Sequence, residues 1–219
     1  MLTFNDIRNN KDVNIYIESA DITLKALGFT EHSFAHVTKV AVTSRYILEA
    51  LNKDPHDIEL AQIAAYLHDI GNVVNRIEHS QSGAVMAFRI LDNLNMPAAD
   101  IAKIISAIGN HDEGTGVPID HISAALILAD KSDVRRSRVR NTDISTFDMH
   151  DRVNYSVVES LLQINDSKTA ITLCLKIDTE FASIMEYFEI FIDRMLLCQK
   201  AAAKLGLKFN LEINNQSFL

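Results

Sequence analysis

The chain has 219 residues, 47% of them hydrophobic and 23% charged, an ordinary mix for a globular protein long enough to bury a real core. A formal net charge of −8 disfavours nucleic acid or an anionic membrane surface as a general partner, so an anionic ligand needs local help from metal ions or a confined basic patch. Cys174 and Cys198 are the only cysteines, lie far apart and form no CxxC, so neither a zinc ribbon nor a disulfide framework is indicated. The first residues lack the basic start and apolar run of a signal peptide, and no apolar run approaches a membrane span of about 18 residues, so a cytoplasmic protein with no membrane partner is expected.

Taken in order, residues 1 to about 140 read as helix after helix. Val13 to Leu27 is a helical segment that stops at Gly28. A second begins near Glu31 or Ser33, with Val37, Val40, Ala41, Ile47, Leu48 and Leu51 at steps of three and four; His36 lies on or beside that inward stripe. Asp54-Pro55 is expected to end it. Ile58 to Ile70 is the next helix, and its end, AAYLHDIGN over 64–72, is the centre of the chain. There an apolar helix delivers His68 and Asp69 together and closes at Gly71, which suits the left-handed residue after a helix. A carboxylate at the end of an apolar helix needs a compensating charge, and a bound cation is the strongest available.

Residues 72–78 are a polar turn, and His79 stands at the inward start of a helix marked by Gly83, Met86 and Ile90. Pro97 suits a first helical position. Ile101, Ile104, Ile105 and Ile108 form another stripe, closed by Gly109 and followed by His111. Asp120 is a candidate N-cap for a helix whose inward row is Ile122, Leu126 and Ala129, and Asp130 shares that row. A carboxylate there costs several kcal/mol by order of magnitude unless paired.

Residues 141–152 are polar and without period, and read as a linker between a helical domain over 1–140 and a small α+β domain over 153–219. In the latter, Val153 to Ile164 and Ala170 to Ile177 are β-prone runs joined by Asn165-Asp166-Ser167-Lys168, a hairpin signature. Phe181 to Leu205 reads as a long helix with Ile184, Met185, Phe188, Ile192 and Met195 inward. Leu207, Phe209, Leu211 and Ile213 alternate as a half-buried strand, which completes a ββαβ unit. The fold class is therefore mainly α with a small α+β appendage. The exposed edges of its sheet can pair between chains, so a homodimer is expected.

The order His36, His68-Asp69, Asp130 resembles the HD-domain superfamily of metal-dependent phosphohydrolases, whose pattern is H…HD…D on an all-helical fold. The likeness covers roughly residues 30–140 and extends to HVTKV at 36–40, LHDIGN at 67–72 and LILADKSD at 126–133. A narrower resemblance is to two-metal branches such as the HD-GYP phosphodiesterases, where two further histidines fall at the places of His79 and His111. Val117 stands where that signature has tyrosine, and Asn72 where the family often has lysine, so cyclic-dinucleotide hydrolysis is not implied.

The resemblance implies metal ligation by His36, His68, Asp69, His79, His111 and Asp130, with Asp69 bridging two ions about 3.5–4 Å apart. Imidazole and carboxylate without thiolate suit Fe, Mn, Zn, Ni or Co, as one or two ions per chain. Asp69, His68 and Lys131 are then the expected catalytic residues, and metal-activated hydroxide would cleave a phosphate ester of a nucleotide or similar small molecule. Asn72, Lys131, Arg135 and Arg136 are the expected substrate-binding residues. For the arginines, solvent-facing complements to a helix dipole are an equal alternative. His32, His56, His121 and His150 have no such context and read as surface or capping residues. The alternative function is a metal- and nucleotide-binding regulatory or sensing module; a metal-free interaction protein is disfavoured by the inward Asp130.

Overall fold

A computed structural model describes residues 2–218. The helical part comprises α1 (Phe4–Arg8), α2 (Lys11–Ala26), α3 (Phe34–Ala50), α4 (Pro55–Leu67), α5 (His79–Asn93), α6 (Ala98–Gly109) and α7 (His121–Lys131). Side-chain caps mark most starts: Asn10, Ser33, Asp54 and Asp120 each accept a backbone N–H of the first turn. One expectation is corrected at Pro55. It does not end α3, which stops at Leu51 before a left-handed Asn52; it opens α4 at a first-turn position where its missing N–H costs nothing.

From Leu60 to Leu67 every residue of α4 is buried, so this helix is the axis around which α3, α6 and α7 pack. A helix with no solvent face cannot show amphipathic period, and its near-continuous apolar sequence is the reason it sits in the middle. A 3₁₀ turn, Ile70–Val73, continues directly from the His68-Asp69 pair and packs against α2 and α5.

The polar stretch 141–152 is partly ordered. It holds a 3₁₀ turn, Ile144–Thr146, and the start of α8 (Met149–Ser156), which is nucleated where the Asp148 carboxylate accepts the Asp151 N–H. Val153 accordingly belongs to a helix, and β1 begins four residues later than its β-branched run suggests. The sheet consists of β1 (Val157–Ile164), β2 (Ala170–Ile177), β3 (Lys208–Ile213) and a two-residue β4 (Gln216–Ser217), in the order β1-β2-β3-β4. The hairpin β1-β2 is antiparallel. The crossover α9 (Ile184–Lys204) makes β2-β3 parallel, with Leu173 beside Leu211. β4 was not anticipated; it returns through Asn214-Asn215, both with positive φ, the conformation of a tight hairpin turn.

The inward face of α9 also differs from expectation. Tyr187, Phe191, Met195 and Cys198 are buried, whereas Met185 is 68% and Ile192 45% exposed. The helix is covered by the sheet on one side and by α7 on another, so its buried surface is wider than one stripe and rotated from the one chosen by apolar count. A single hydrophobic core runs through the helical part, α9 and the sheet. Among the described residues no helix is long and apolar enough to cross a membrane.

Candidate metal centre

Five elements deliver polar side chains to one buried point. His36 comes from the first turn of α3, His68 and Asp69 from the end of α4, and His79 from the start of α5. His111 follows the end of α6, and Asp130 lies on the last turn of α7. All six are buried. Gly71 makes the convergence of α4 and α5 possible, though not by a left-handed φ. A Cβ there would lie 2.0 Å from the carbonyl oxygen of His79 and 2.4 Å from the backbone N of Gly83, so only glycine lets α5 approach the His-Asp turn.

The imidazoles share one orientation device. Nδ1–H donates to a carbonyl oxygen in His68 (Ala65, 2.7 Å), His79 (Arg76, 3.0 Å) and His111 (Ile108, 2.6 Å), and to the Asp133 carboxylate in His36 (2.8 Å). With Nδ1 as the donor, Nε2 is the nitrogen that carries the lone pair in the neutral form of each ring. Nε2 of His36 lies 3.5 Å from Asp69 Oδ2 and 3.3 Å from Asp130 Oδ1. Nε2 of His68 lies 3.1 Å and 3.7 Å from the same two oxygens. On the other side of the carboxylate, Asp69 Oδ1 faces His79 Nε2 at 3.6 Å, and His79 Nε2 faces His111 Nε2 at 3.2 Å.

This donor set fits a cation. The Nε2 atoms of His36 and His68 are buried with no hydrogen-bond partner, although carboxylate oxygens stand close, because all of them point toward shared space. Among the described residues, two groups have donor atoms mutually close enough to bind one ion: His36, His68 and Asp130, and His68, Asp69 and His111. Imidazole and carboxylate without sulfur suit a divalent first-row ion.

The electrostatics agree. Burial alone would raise the carboxyls of Asp69 and Asp130. The adjacent His68 for the first and Lys131 for the second outweigh it and hold both well below the usual range. Burial opposes a charged His68, but Asp69 and Asp130 reverse the balance and push its pKa up to about 10, a measure of how strongly this point attracts positive charge. His111 goes the other way: burial, and then the neighbouring His68, hold it well below its ordinary value and favour its neutral form.

The surrounding residues hold the six in place. Asp133, fully buried, accepts from His36, from Lys39 Nζ (2.9 Å) and from Arg135 Nε (3.0 Å). Asn72 Nδ2 donates to Asp69 Oδ1 (3.0 Å) and to its carbonyl (2.9 Å), so this residue orients the Asp69 carboxylate and does not line the cavity. Lys131 Nζ is held between Asp130 Oδ2 (2.7 Å) and Glu113 Oε2 (3.2 Å).

A cavity of about 470 Å³ opens over the cluster, with Phe29, Arg76, Lys131, Arg138, Phe191 and Arg194 in its wall. Arg135 and Arg136 are not brought there. Arg135 pairs with Glu31 and Asp133, and Arg136 with Asp178 and the Tyr155 carbonyl, stacked over the Tyr155 ring. His32 is a cavity residue, its ring centroid 5.4 Å from that of His36, and not the surface or capping residue expected. Its proximity in sequence to His36 was the only available sign. His150 also lines the cavity, whereas His56 and His121 pair with Asp100 and Asp57 (both 2.8 Å) away from it.

A family model for the HD domain matches residues 33–145, just over half of the chain and a stretch that contains all six clustered residues. The chain belongs to the HD domain family. An uncharacterised protein of Methanocaldococcus jannaschii is 26% identical over 162 residues, 64% of this chain and 62% of that protein, so less than two thirds of that relative is spanned. A crystal structure of a predicted HD superfamily hydrolase from an uncultured Thermotogales bacterium is 23% identical, with a TM-score of 0.45 over 57% of this chain and 68% of that one. The family's His/Asp set is thus present in this HD domain as one buried cluster compatible with metal binding.

Proposed function

We propose that this HD-domain protein is a metal-dependent phosphohydrolase acting on a small phosphate ester such as a nucleotide. The observation that carries the reading is the two-sided environment of Asp69. One oxygen faces His36 and His68, and the other faces His79. In this reading His36, His68 and Asp130 would hold one ion and His79 and His111 a second, with Asp69 presenting one oxygen toward each set. Divalent ions held so would supply Lewis-acid polarisation of a phosphoryl oxygen and a water of lowered pKa.

The chain's own residues do the positioning. Asp133 fixes the His36 ring and its tautomer, Asn72 fixes Asp69, and Lys131 neutralises and steers Asp130. Arg76 projects from the turn before α5 into the cavity, its Nη1 donating to Asn72 Oδ1 and to His79 Nε2 (both 3.3 Å), which puts a cation where a substrate phosphate would arrive. Phe29 and Phe191 give the wall apolar surface for the rest of the ester.

The test is elemental analysis of protein purified without chelator, together with phosphate release from p-nitrophenyl phosphate, bis(p-nitrophenyl) phosphate and nucleoside monophosphates. Two ions per chain and turnover abolished by Asp69→Ala are expected. Metal-loaded protein that binds nucleotide but turns over none of these esters would overturn the enzyme and favour a sensing module. A homodimer through a sheet edge is part of the same proposal, and a monomer in sedimentation at micromolar concentration removes it.

A further inference from the structure

The family match ends at residue 145, yet the cavity wall includes Phe191 and Arg194 of α9, which comes from the C-terminal part of the chain. Arg194 is tied to the metal cluster by consecutive contacts. Its Nε donates to Glu113 Oε1 (2.9 Å), Glu113 Oε2 receives Lys131 Nζ (3.2 Å), and Lys131 Nζ holds Asp130 Oδ2 (2.7 Å). Its guanidinium lies 4.2 Å from the centroid of the Phe191 ring, so it is held at one edge and along one face. Among the described residues, Nη1 and Nη2 of Arg194 donate to nothing, although its side chain is only 21% exposed.

Of the other cavity cations, Arg76 turns its Nη1 to Asn72 and His79, and two are more fully used. Lys131 serves two carboxylates, and Arg138 donates to the carbonyls of Glu31 and Asp133. A guanidinium fixed in orientation in a cavity wall, with both terminal nitrogens unspent, is prepared for a planar two-pronged acceptor.

We propose that Arg194 is a substrate-binding residue, whose two terminal nitrogens grip non-bridging phosphate oxygens of a ligand in the cavity, so that α9 completes a site the HD domain leaves open. This rests on the phosphoester reading for the ligand's chemistry, but its test is independent of turnover. The dissociation constant of inorganic phosphate is measured by calorimetry on the metal-loaded 219-residue protein, wild type against Arg194→Gln and Arg194→Lys, with metal content and thermal midpoint recorded for each.

Loss of a bidentate charged contact should weaken phosphate binding by about 10- to 100-fold in Arg194→Gln. Arg194→Lys should recover part of it, because a point charge can still pair with Glu113 but cannot grip two oxygens. Metal content should be the same in all three. Unchanged phosphate affinity in Arg194→Gln overturns the proposal and leaves Arg194 as a brace for Glu113. Parallel loss of metal and thermal stability in both variants overturns it as well, as does wild-type protein that binds no phosphate at millimolar concentration. Phosphate binding that depends on Arg194 in a protein that hydrolyses no ester upholds the proposal and defeats the hydrolase reading instead.

Discussion

His36, His68 and Asp133 at the centre of the helical part are as inaccessible to water as Leu173 and Leu211 in the C-terminal sheet. The two interiors are nonetheless built from opposite materials. Leu173 and Leu211 sit side by side on adjacent strands among Ile171, Phe209 and Ile213, where burial itself is the stabilising term. Around His68, burial opposes the charge on every group that matters, and two Nε2 atoms are left without hydrogen-bond partners. Such an arrangement costs several kcal/mol by order of magnitude unless something binds. One interior makes stability, whereas the other consumes it to create a site. The difference separates mutations that unfold the protein from those that empty it.

The largest effect should come from the shared carboxylate. Asp69→Ala removes both oxygens that the imidazole sets face, and phosphoester turnover should fall about a thousandfold or more, with ions lost from the elemental analysis. A variant that retains full metal content and activity would break the contrast at its root. Gly71→Ala attacks the same centre through backbone. The added Cβ would meet the His79 carbonyl and the Gly83 N at 2.0 and 2.4 Å, neither of which can yield as a flexible side chain does. Destabilisation above about 4 kcal/mol is expected in urea titration, with His79 displaced from the cluster.

Much of the helical centre was legible because polar residues interrupted apolar periods. Asp130 on the row of Leu126 and Ala129, and the His68-Asp69 pair at the end of an unbroken apolar helix, announce themselves against that background. What was hidden depends on contacts between distant segments. Asp133 reads like any helix-terminal aspartate until His36, 97 residues away in sequence, is seen to donate to it. Gly71 looked like a helix stop, but its necessity lies in the chain that crosses it. Arg135 and Arg136 matched the chemistry of phosphate binding equally well as Arg194, and only the fold reveals which has spare donors. Tyr187 and Phe191 were missed on α9 because a helix covered on two sides carries no single stripe.

The sheet interior should respond in the complementary way. Leu173→Ala should cost about 2–5 kcal/mol of stability, while metal content per folded chain stays unchanged. Metal loss in parallel with stability would show the two interiors to be one cooperative unit with the site at its weakest point. Asp133→Asn is the smaller, opposite probe. It keeps the shape but weakens the acceptor that orients His36, so metal affinity should drop about 10- to 100-fold. The change in stability of the chelated protein should be modest, because an amide oxygen still accepts from Nδ1–H.

The smallest effect concerns how α9 is anchored, away from both interiors. Glu186 accepts from Arg152 Nη2 (2.8 Å) and from the Ser183 backbone N–H (2.8 Å), closing the capping box at the start of the helix. The Arg152 hydrogen bond first, and the Ser183 N–H next, depress its pKa to about 2 from an ordinary 4.5. A carboxylate depressed on folding contributes stability that is complete above the unfolded value and disappears as pH falls through the folded one. Wild type should therefore exceed Glu186→Gln in urea midpoint near pH 6, and the gap should close between about pH 4.5 and pH 2. Because the pair is open to solvent on one side, Glu186 being 26% exposed, screening by salt should shrink the gap further. A gap that persists unchanged at pH 2 would mean that the glutamine disturbs α9 by shape and not by charge. Arg194 would then be the residue to re-examine, because it depends on where that helix lies.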